Sequence, residues 1–163
     1  MARFFLTTLL LSSLALSLGG CAQPDPLNTF EETGDCVECD LMDQDLSGKD
    51  LSGALLNRSD LSNADLSRAN LTGALLDSVN LSGANLSGTI LEKAALTGAN
   101  LTDADLSGAT LQDAFLRNAN LSNANLSNAN LTNADLNGAN LEGATLEGAI
   151  LTGAIFPDGT VQN

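Results

Sequence analysis

The sequence contains no histidine, tryptophan or tyrosine, and only 6 of its 163 residues are lysine or arginine. Without imidazole there can be no Ser/His/Asp triad, no Cys/His nucleophile pair and no histidine-ligated metal centre. Nucleic-acid binding is disfavoured as well, because it uses basic side chains on phosphates and aromatic rings against bases. We therefore expect no catalytic residues, no metal site, no cofactor and no nucleic-acid partner.

Acidic residues outnumber basic ones by 20 to 6, which gives a formal net charge of -14 at pH 7. Their density is highest over residues 22–50, which hold nine acids and one base, Lys49. Such a charge keeps a domain soluble and repels it from anionic lipid headgroups. Solubility is a sufficient explanation of the charge.

Residues 1–20 have the pattern of a signal peptide. Arg3 supplies a positive charge, and the apolar stretch from Phe4 to Leu18 is shorter than the roughly 20 residues that span a bilayer. The next residues, Leu18-Gly19-Gly20-Cys21, resemble the lipobox of bacterial lipoproteins. That resemblance implies cleavage before Cys21 and acylation of its sulfur; an ordinary cleaved signal followed by a chance cysteine is the alternative.

Acylation of Cys21 would make the protein an exported lipoprotein, anchored to a bacterial membrane and facing the periplasm or exterior. Several acyl chains give stable anchoring, since each buried CH2 contributes about 0.8 kcal/mol. Residues 21–25 then form the lipidated cysteine and a tether. The four residues after Cys21 reach at most about 14 Å, so the domain is expected to lie close to the membrane.

From Leu41 to Leu151 a leucine occurs at every fifth residue, and Phe156 takes the next place. Alanine lies two residues before the leucine or phenylalanine at 18 of the 21 positions between 54 and 154, the exceptions being Ser59, Val79 and Thr89. A period of five matches neither the 3.6 of a helix nor the 2.0 of a strand. A chain that turns a corner every five residues explains it, with alanine and leucine inside and Asn/Asp, Ser/Thr and Gly/Asn outside.

The unit A-[DN]-L-[ST]-[GN], seen for example in residues 119–126, resembles that of the pentapeptide repeat family. The resemblance implies an all-β fold, a right-handed quadrilateral parallel β-helix with 20 residues per coil. Residues 39–156 would form about six coils, a rod roughly 29 Å long at the usual spacing of neighbouring strands.

Both ends of such a rod need caps, because unpaired backbone edges invite association. Asp25-Pro26 resembles a helix start and Gly34 a stop, which predicts a capping helix over Pro26–Thr33 within an N-terminal cap of residues 26–38. At the other end, residues 155–159 combine bulky side chains with a turn and suit a final coil. The β-helix would end at Phe156, with residues 157–163 as a C-terminal tail.

Cys36 and Cys39 form a C-x-x-C pair directly before the first repeat. A disulfide between them is plausible in an oxidising compartment. A free Cys39 that fills the small inward position before Leu41 is the alternative. Redox catalysis is disfavoured, because the strand and following helix of a thioredoxin-like site are missing, and one C-x-x-C cannot complete a metal site.

Residues 20 apart should stack, so the outward position before each central leucine sorts into four columns. Two columns are polar throughout, and a third, which begins at Asp50, is mixed. The fourth is mainly apolar: Leu55, Leu75, Ala95, Phe115, Asp135 and Ile155. Contiguous exposed apolar side chains usually mark a binding surface. There are two alternatives. The loss of a solubilising polar residue in this column was simply tolerated, or another segment of the chain packs against the column.

These observations favour a non-enzymatic, membrane-anchored structural or protein-interaction module that contacts itself or another envelope protein through the fourth column. The alternative is an acidic DNA-mimic rod that inhibits or protects a topoisomerase, by resemblance to the quinolone-resistance pentapeptide proteins. Export from the cytoplasm argues against that alternative. Calcium binding and ice binding are also disfavoured, because neither a nonapeptide calcium repeat nor ranks of threonine are present.

Overall fold

The computed structural model describes Phe30 and residues 34–163. The predicted signal peptide, Cys21, the tether and all of the predicted capping helix except Phe30 lie outside the described residues. Phe30 is helical, and its carbonyl accepts a hydrogen bond from the Gly34 N–H at 2.8 Å. Its side chain is buried in the same cluster as the first leucines of the repeat.

A tight turn follows every central leucine. The leucine carbonyl accepts a hydrogen bond from the N–H three residues later, as from Ala109 to Leu106 at 3.0 Å. The second residue after each leucine has a positive φ, and this recurs at every fifth residue from Glu38 to Gly153. A positive φ at the third residue of a turn is the mark of type II and favours glycine or asparagine. The glycine and asparagine of the repeat are thus explained by backbone conformation.

The residue before each leucine pairs with the residue 20 positions later in a parallel bridge, from Asp40↔Asp60 to Asp135↔Ile155. The leucine N–H donates to the next coil, as from Leu101 to the carbonyl of Asn120 at 2.7 Å. Within the described residues no strand is longer than one bridge residue, because a turn interrupts the chain every five residues. The fold is the predicted right-handed quadrilateral parallel β-helix.

The core is a stack of leucines with smaller side chains at the corners. Every central leucine from Leu56 to Leu136 is at most 1% exposed, and nearly all the alanines two residues earlier are equally buried. Full burial of a leucine contributes about 2 kcal/mol before chain entropy is subtracted. Stability therefore depends on stacking successive coils rather than on any one of them.

Two of the three exceptions to alanine carry hydroxyl groups that bond inside the core. The Ser59 hydroxyl donates to the Cys36 carbonyl at 2.6 Å and accepts from the Cys39 N–H at 3.1 Å. The Thr89 hydroxyl donates to the Leu66 carbonyl at 2.7 Å. Both side chains are buried and have hydrogen-bond partners, as buried polar groups require.

Residues 156–162 form a short hairpin against the last coil. Ile155 pairs with Val161 in an antiparallel bridge, and the Gln162 N–H donates to the Ala154 carbonyl at 2.9 Å. This hairpin covers one side of the coil. Leu141, Leu146 and Leu151 consequently stay partly exposed, so the bulky terminal residues close less of this end than the sequence suggests.

Candidate interaction surface on one side of the β-helix

We call the residue before each central leucine, which forms the parallel bridge, the bridge position. On the polar sides of the rod, the side chain at this position stabilises both its own turn and the contact with the next coil. Asp60 shows the pattern: its Oδ1 accepts from the Ser62 N–H at 2.9 Å and from the Asn80 side-chain amide at 3.0 Å. Asn80 in turn accepts from the side chain of Asn100 at 3.0 Å. Aspartate and asparagine at this position therefore form ladders that run along the rod.

One side of the rod interrupts this pattern with four consecutive apolar residues, Leu55, Leu75, Ala95 and Phe115, which we call the apolar strip. They are joined by successive parallel bridges, so they lie in four adjacent coils. Leu55 and Leu75 are each 39% exposed and Phe115 is 50% exposed, while Ala95 is half-buried. The structure thus places these four predicted residues side by side at the surface.

Beside the apolar strip, the neighbouring column supplies the hydrogen bonds that the bridge position cannot. The Asp77 N–H donates to the side chain of Asn57 at 3.0 Å, and the Thr97 N–H donates to the side chain of Asp77 at 3.0 Å. Where the bridge position is Asp or Asn, its side chain accepts the corresponding N–H directly, as Asp60 accepts from Ser62. The turns after Leu75 and Ala95 are therefore stabilised without a polar residue at the bridge position.

Carboxylates mark both ends of the apolar strip. At one end, Asp35 Oδ1 accepts from the Leu55 N–H at 2.9 Å. At the other, Asp135 binds Arg117 with 2.7 Å between Oδ2 and Nε. Asp35 was missed by the sequence analysis, although it lies 20 residues before Leu55 and so continues the column.

Ile155, the last predicted member of the interaction face, occupies a different environment. Asp135 separates it from Phe115 in the column, and its bridge to Val161 makes it part of the C-terminal hairpin. It is half-buried. The structure therefore assembles four of the five predicted residues into one strip and assigns Ile155 to the end of the rod.

Cys36 and Cys39 are joined by a disulfide, with their Cα atoms 5.6 Å apart. Their exposed fractions are 5% and 6%, and Ser59 lies beneath them with bonds to both backbones. This arrangement closes the first turn of the β-helix. Cys21, the predicted lipidation site, lies outside the described residues.

Many acidic side chains of the described region stabilise turns, because they accept a hydrogen bond from the backbone N–H two residues later, as Asp45 and Asp65 do. Hydrogen bonds from a hydroxyl and a backbone N–H two residues later hold the pKa of four carboxyls below the usual value, those of Asp45, Asp50, Asp60 and Asp158. In residues 30 and 34–163, no three acidic or cysteine side chains are grouped so as to hold a metal ion. No helix in this part of the chain combines the length and apolar character needed to cross a bilayer.

Sequence comparison finds eight copies of the motif described as Pentapeptide repeats, in overlapping matches between residues 35 and 153. No curated protein matches the chain. Among solved structures, the chain is 36% identical to a pentapeptide repeat protein from the Arabidopsis thaliana thylakoid lumen, covering 76% of this chain and 72% of that one, with a TM-score of 0.45.

Two further solved structures are similar. Rfr23, a pentapeptide repeat protein from the cyanobacterium Cyanothece 51142, is 33% identical over 85% of this chain and 97% of its own, with a TM-score of 0.37. QnrB1, a plasmid-mediated fluoroquinolone resistance protein, is 21% identical over 74% of this chain and 70% of its own, with a TM-score of 0.60, a likeness of fold. With most of its length matched by the repeat, the chain belongs to the pentapeptide repeat family.

Proposed function

We propose that this protein is a non-enzymatic, membrane-anchored interaction module whose apolar strip binds a partner protein of the cell envelope. The observation that carries the proposal is the strip itself: four adjacent coils expose Leu55, Leu75, Ala95 and Phe115 where the other sides carry mostly Asp, Asn or Thr. A contiguous apolar surface on a rigid scaffold is the usual form of a protein-binding site. Pentapeptide repeat proteins are generally structural modules, which agrees with this role.

The rigidity of the rod supports the proposal. The backbone of Leu75, Ala95 and Phe115 is fixed by two bonds to the preceding coil. The Leu75 N–H, for example, donates to the Ala54 carbonyl, and the Leu75 carbonyl accepts from the Leu56 N–H. Preorganised side chains lose little conformational entropy on binding. Phe115, the most exposed member and the only aromatic one, is the residue expected to contribute most to affinity.

The test compares complexes cross-linked in native membranes for the wild type and for the double variant Leu75→Asp/Phe115→Asp. We expect the variant to lose the partner, because two carboxylates would be desolvated in the contact. The matched control is Thr110→Asp/Asn130→Asp, which adds two carboxylates at the same bridge position on the neighbouring side. Equal capture by wild type and strip variant, with partner lost in neither, would refute the proposal.

Membrane anchoring through Cys21 rests on the Leu18-Gly19-Gly20-Cys21 sequence and is tested separately. In cells fed an alkyne fatty acid, the protein should become labelled with that fatty acid. The Cys21→Ser variant should carry no label and should no longer be found in the membrane fraction. Cys36→Ser/Cys39→Ser is the control, because it leaves the lipobox cysteine in place. Undiminished labelling of the Cys21→Ser variant would contradict the anchor.

A further inference from the structure

An open cavity borders the apolar strip in the first coils of the rod. Its volume is about 370 Å³, and it is lined by Val37, Asn57, Arg58, Asp77 and Ser78, which we call the rim cavity. Asn57 and Asp77 follow the strip residues Leu55 and Leu75 by two positions. Since two residues span at most about 7 Å, a segment bound on the apolar strip can place a long side chain in the rim cavity.

The charges of the rim cavity leave one carboxylate without a cation. Arg58 binds Glu38 with 2.6 Å between Nη2 and Oε1, so these two charges compensate each other. Asp77 takes part in none of the ion pairs among residues 30 and 34–163. Its Oδ1 accepts from the Thr97 N–H at 3.0 Å, and the residue is half-buried. The rim cavity therefore has a net negative charge that lies on Asp77.

The other side chains of the rim cavity suit a cation with a long apolar stem. Asn57 Oδ1 is held in place because it accepts from the Asp77 N–H at 3.0 Å, and the Ser78 hydroxyl lies at the surface. Together with Asp77 they present three side-chain oxygens, and an ammonium group has three N–H donors. Val37, which is 48% exposed, adds an apolar wall for methylene groups.

We propose that the rim cavity binds a lysine side chain of the partner, beside the apolar residues that the strip binds. This inference rests on the proposed function and adds the chemistry of the partner, a segment that combines apolar residues with a lysine. The formal net charge of -14 favours a cation over a carboxylate. The compensation of Arg58 by Glu38 disfavours an anionic ligand at the same place.

The variant Asp77→Asn removes the charge and keeps the turn. The asparagine oxygen can accept from the Thr97 N–H, just as Asn57 accepts from the Asp77 N–H. The matched control is Asp105→Asn, which removes a carboxylate that accepts from the Ser107 N–H at 3.0 Å on another side of the rod. Because both variants have the same net charge, the general attraction of the rod for cations is equal in the two.

The first experiment titrates the full chain, in a nonionic detergent, with n-hexylammonium chloride and follows the backbone N–H signals by NMR. We expect saturable shifts at Asp77, Ser78 and Thr97 with a dissociation constant on the order of 10 mM. The constant should rise about three- to fivefold in Asp77→Asn and stay unchanged in Asp105→Asn. Sodium hexanoate, which has an alkyl chain of similar length, should cause no such shifts. Equal binding of hexanoate, equal binding by Asp77→Asn, or no saturable shift at these residues would overturn the proposal.

The second experiment repeats the capture from native membranes and separates this inference from the proposed function. At low salt, Asp77→Asn should capture about three- to fivefold less partner than the wild type, and about 0.5 M KCl should reduce the difference. Asp105→Asn should capture as much as the wild type. Full capture by Asp77→Asn, with loss in Leu75→Asp/Phe115→Asp, would refute the lysine site and leave the proposed function standing. Loss in Asp77→Asn alone would refute the apolar strip as the binding surface and retain the lysine site.

Discussion

At the scale of single residues, departures from the repeat are informative because the repeat sets a strict expectation. Ser59 occupies a position that is alanine at 18 of 21 places between 54 and 154. Its hydroxyl connects the backbones of Cys36 and Cys39, and the exposed fraction of the residue is 1%. Ser59 therefore stabilises the turn that contains the Cys36–Cys39 disulfide.

Replacement of Ser59 by the consensus alanine is expected to destabilise the protein. The buried Cys39 N–H would lose its partner, which costs about 1–3 kcal/mol. Urea unfolding of Ser59→Ala measures the loss. Ser87→Ala is the control: it removes a half-buried hydroxyl whose partner, the Asn85 side chain, keeps its bond to the Ser87 N–H, so a change within about 0.5 kcal/mol is expected. Equal effects of the two substitutions would contradict this role of Ser59.

Asp60 should make the free energy of unfolding depend on pH. Hydrogen bonds from the Ser62 hydroxyl and then the Ser62 backbone N–H hold the pKa of Asp60 below its usual value. Because the folded pKa is depressed, the stabilisation is present above pH about 4 and is lost as pH falls through the folded value. Asp60→Asn should therefore flatten the fall in unfolding free energy below that pH.

A carboxyl titration followed by NMR tests the cause of this shift directly. Ser62→Ala removes the hydroxyl and should move the pKa of Asp60 upward toward its usual value. If the pKa of Asp60 is unchanged in Ser62→Ala, the hydrogen bond does not cause the shift.

At the scale of the element, the five-residue unit is predictable from sequence because each position has one physical requirement. Leucine and alanine fill the interior, and glycine or asparagine accepts the positive φ of the turn, as at Gly108 and Asn123. Four such units make a coil of 20 residues, and this spacing predicts that Leu55 and Phe115 lie in one column.

Other features of the site depend on contacts that the repeat does not encode. Asp35 lies before the first regular unit, so its place at the end of the apolar strip appears only in the bond to the Leu55 N–H. Ile155 matches the column by number, yet the hairpin removes it from the strip. Local pattern predicts the walls of the rod, whereas its ends depend on how irregular segments fold back.

The contribution of a core leucine should depend on its coil. Leu101 is fully buried between coils, so Leu101→Ala is expected to cost about 2–5 kcal/mol through lost burial and the cavity left behind. Leu146 has a coil on one side only, and Leu146→Ala should cost roughly half as much. Denaturant unfolding of dilute samples measures both. A larger loss at Leu146 than at Leu101 would contradict this dependence on the position of the coil.

At the scale of the whole molecule, the charge distribution opposes the fold that the repeat stabilises. The chain carries a formal net charge of -14, and the described residues contain three ion pairs. In each pair at least one side chain is well exposed, and such pairs contribute little to stability. Repulsion among carboxylates on a narrow rod is thus the larger long-range term.

Salt should therefore stabilise this protein. We expect about 0.5 M KCl to raise the free energy of unfolding by roughly 1 kcal/mol, because screening weakens repulsion more than it weakens the few ion pairs. The triple variant Asp43→Asn/Asp103→Asn/Asp113→Asn removes three charges at turn positions where asparagine suits the positive φ. It should be more stable than the wild type in low salt and gain less from KCl. Thermal unfolding measures both effects, and a wild type destabilised by KCl would show that attraction between charges dominates instead.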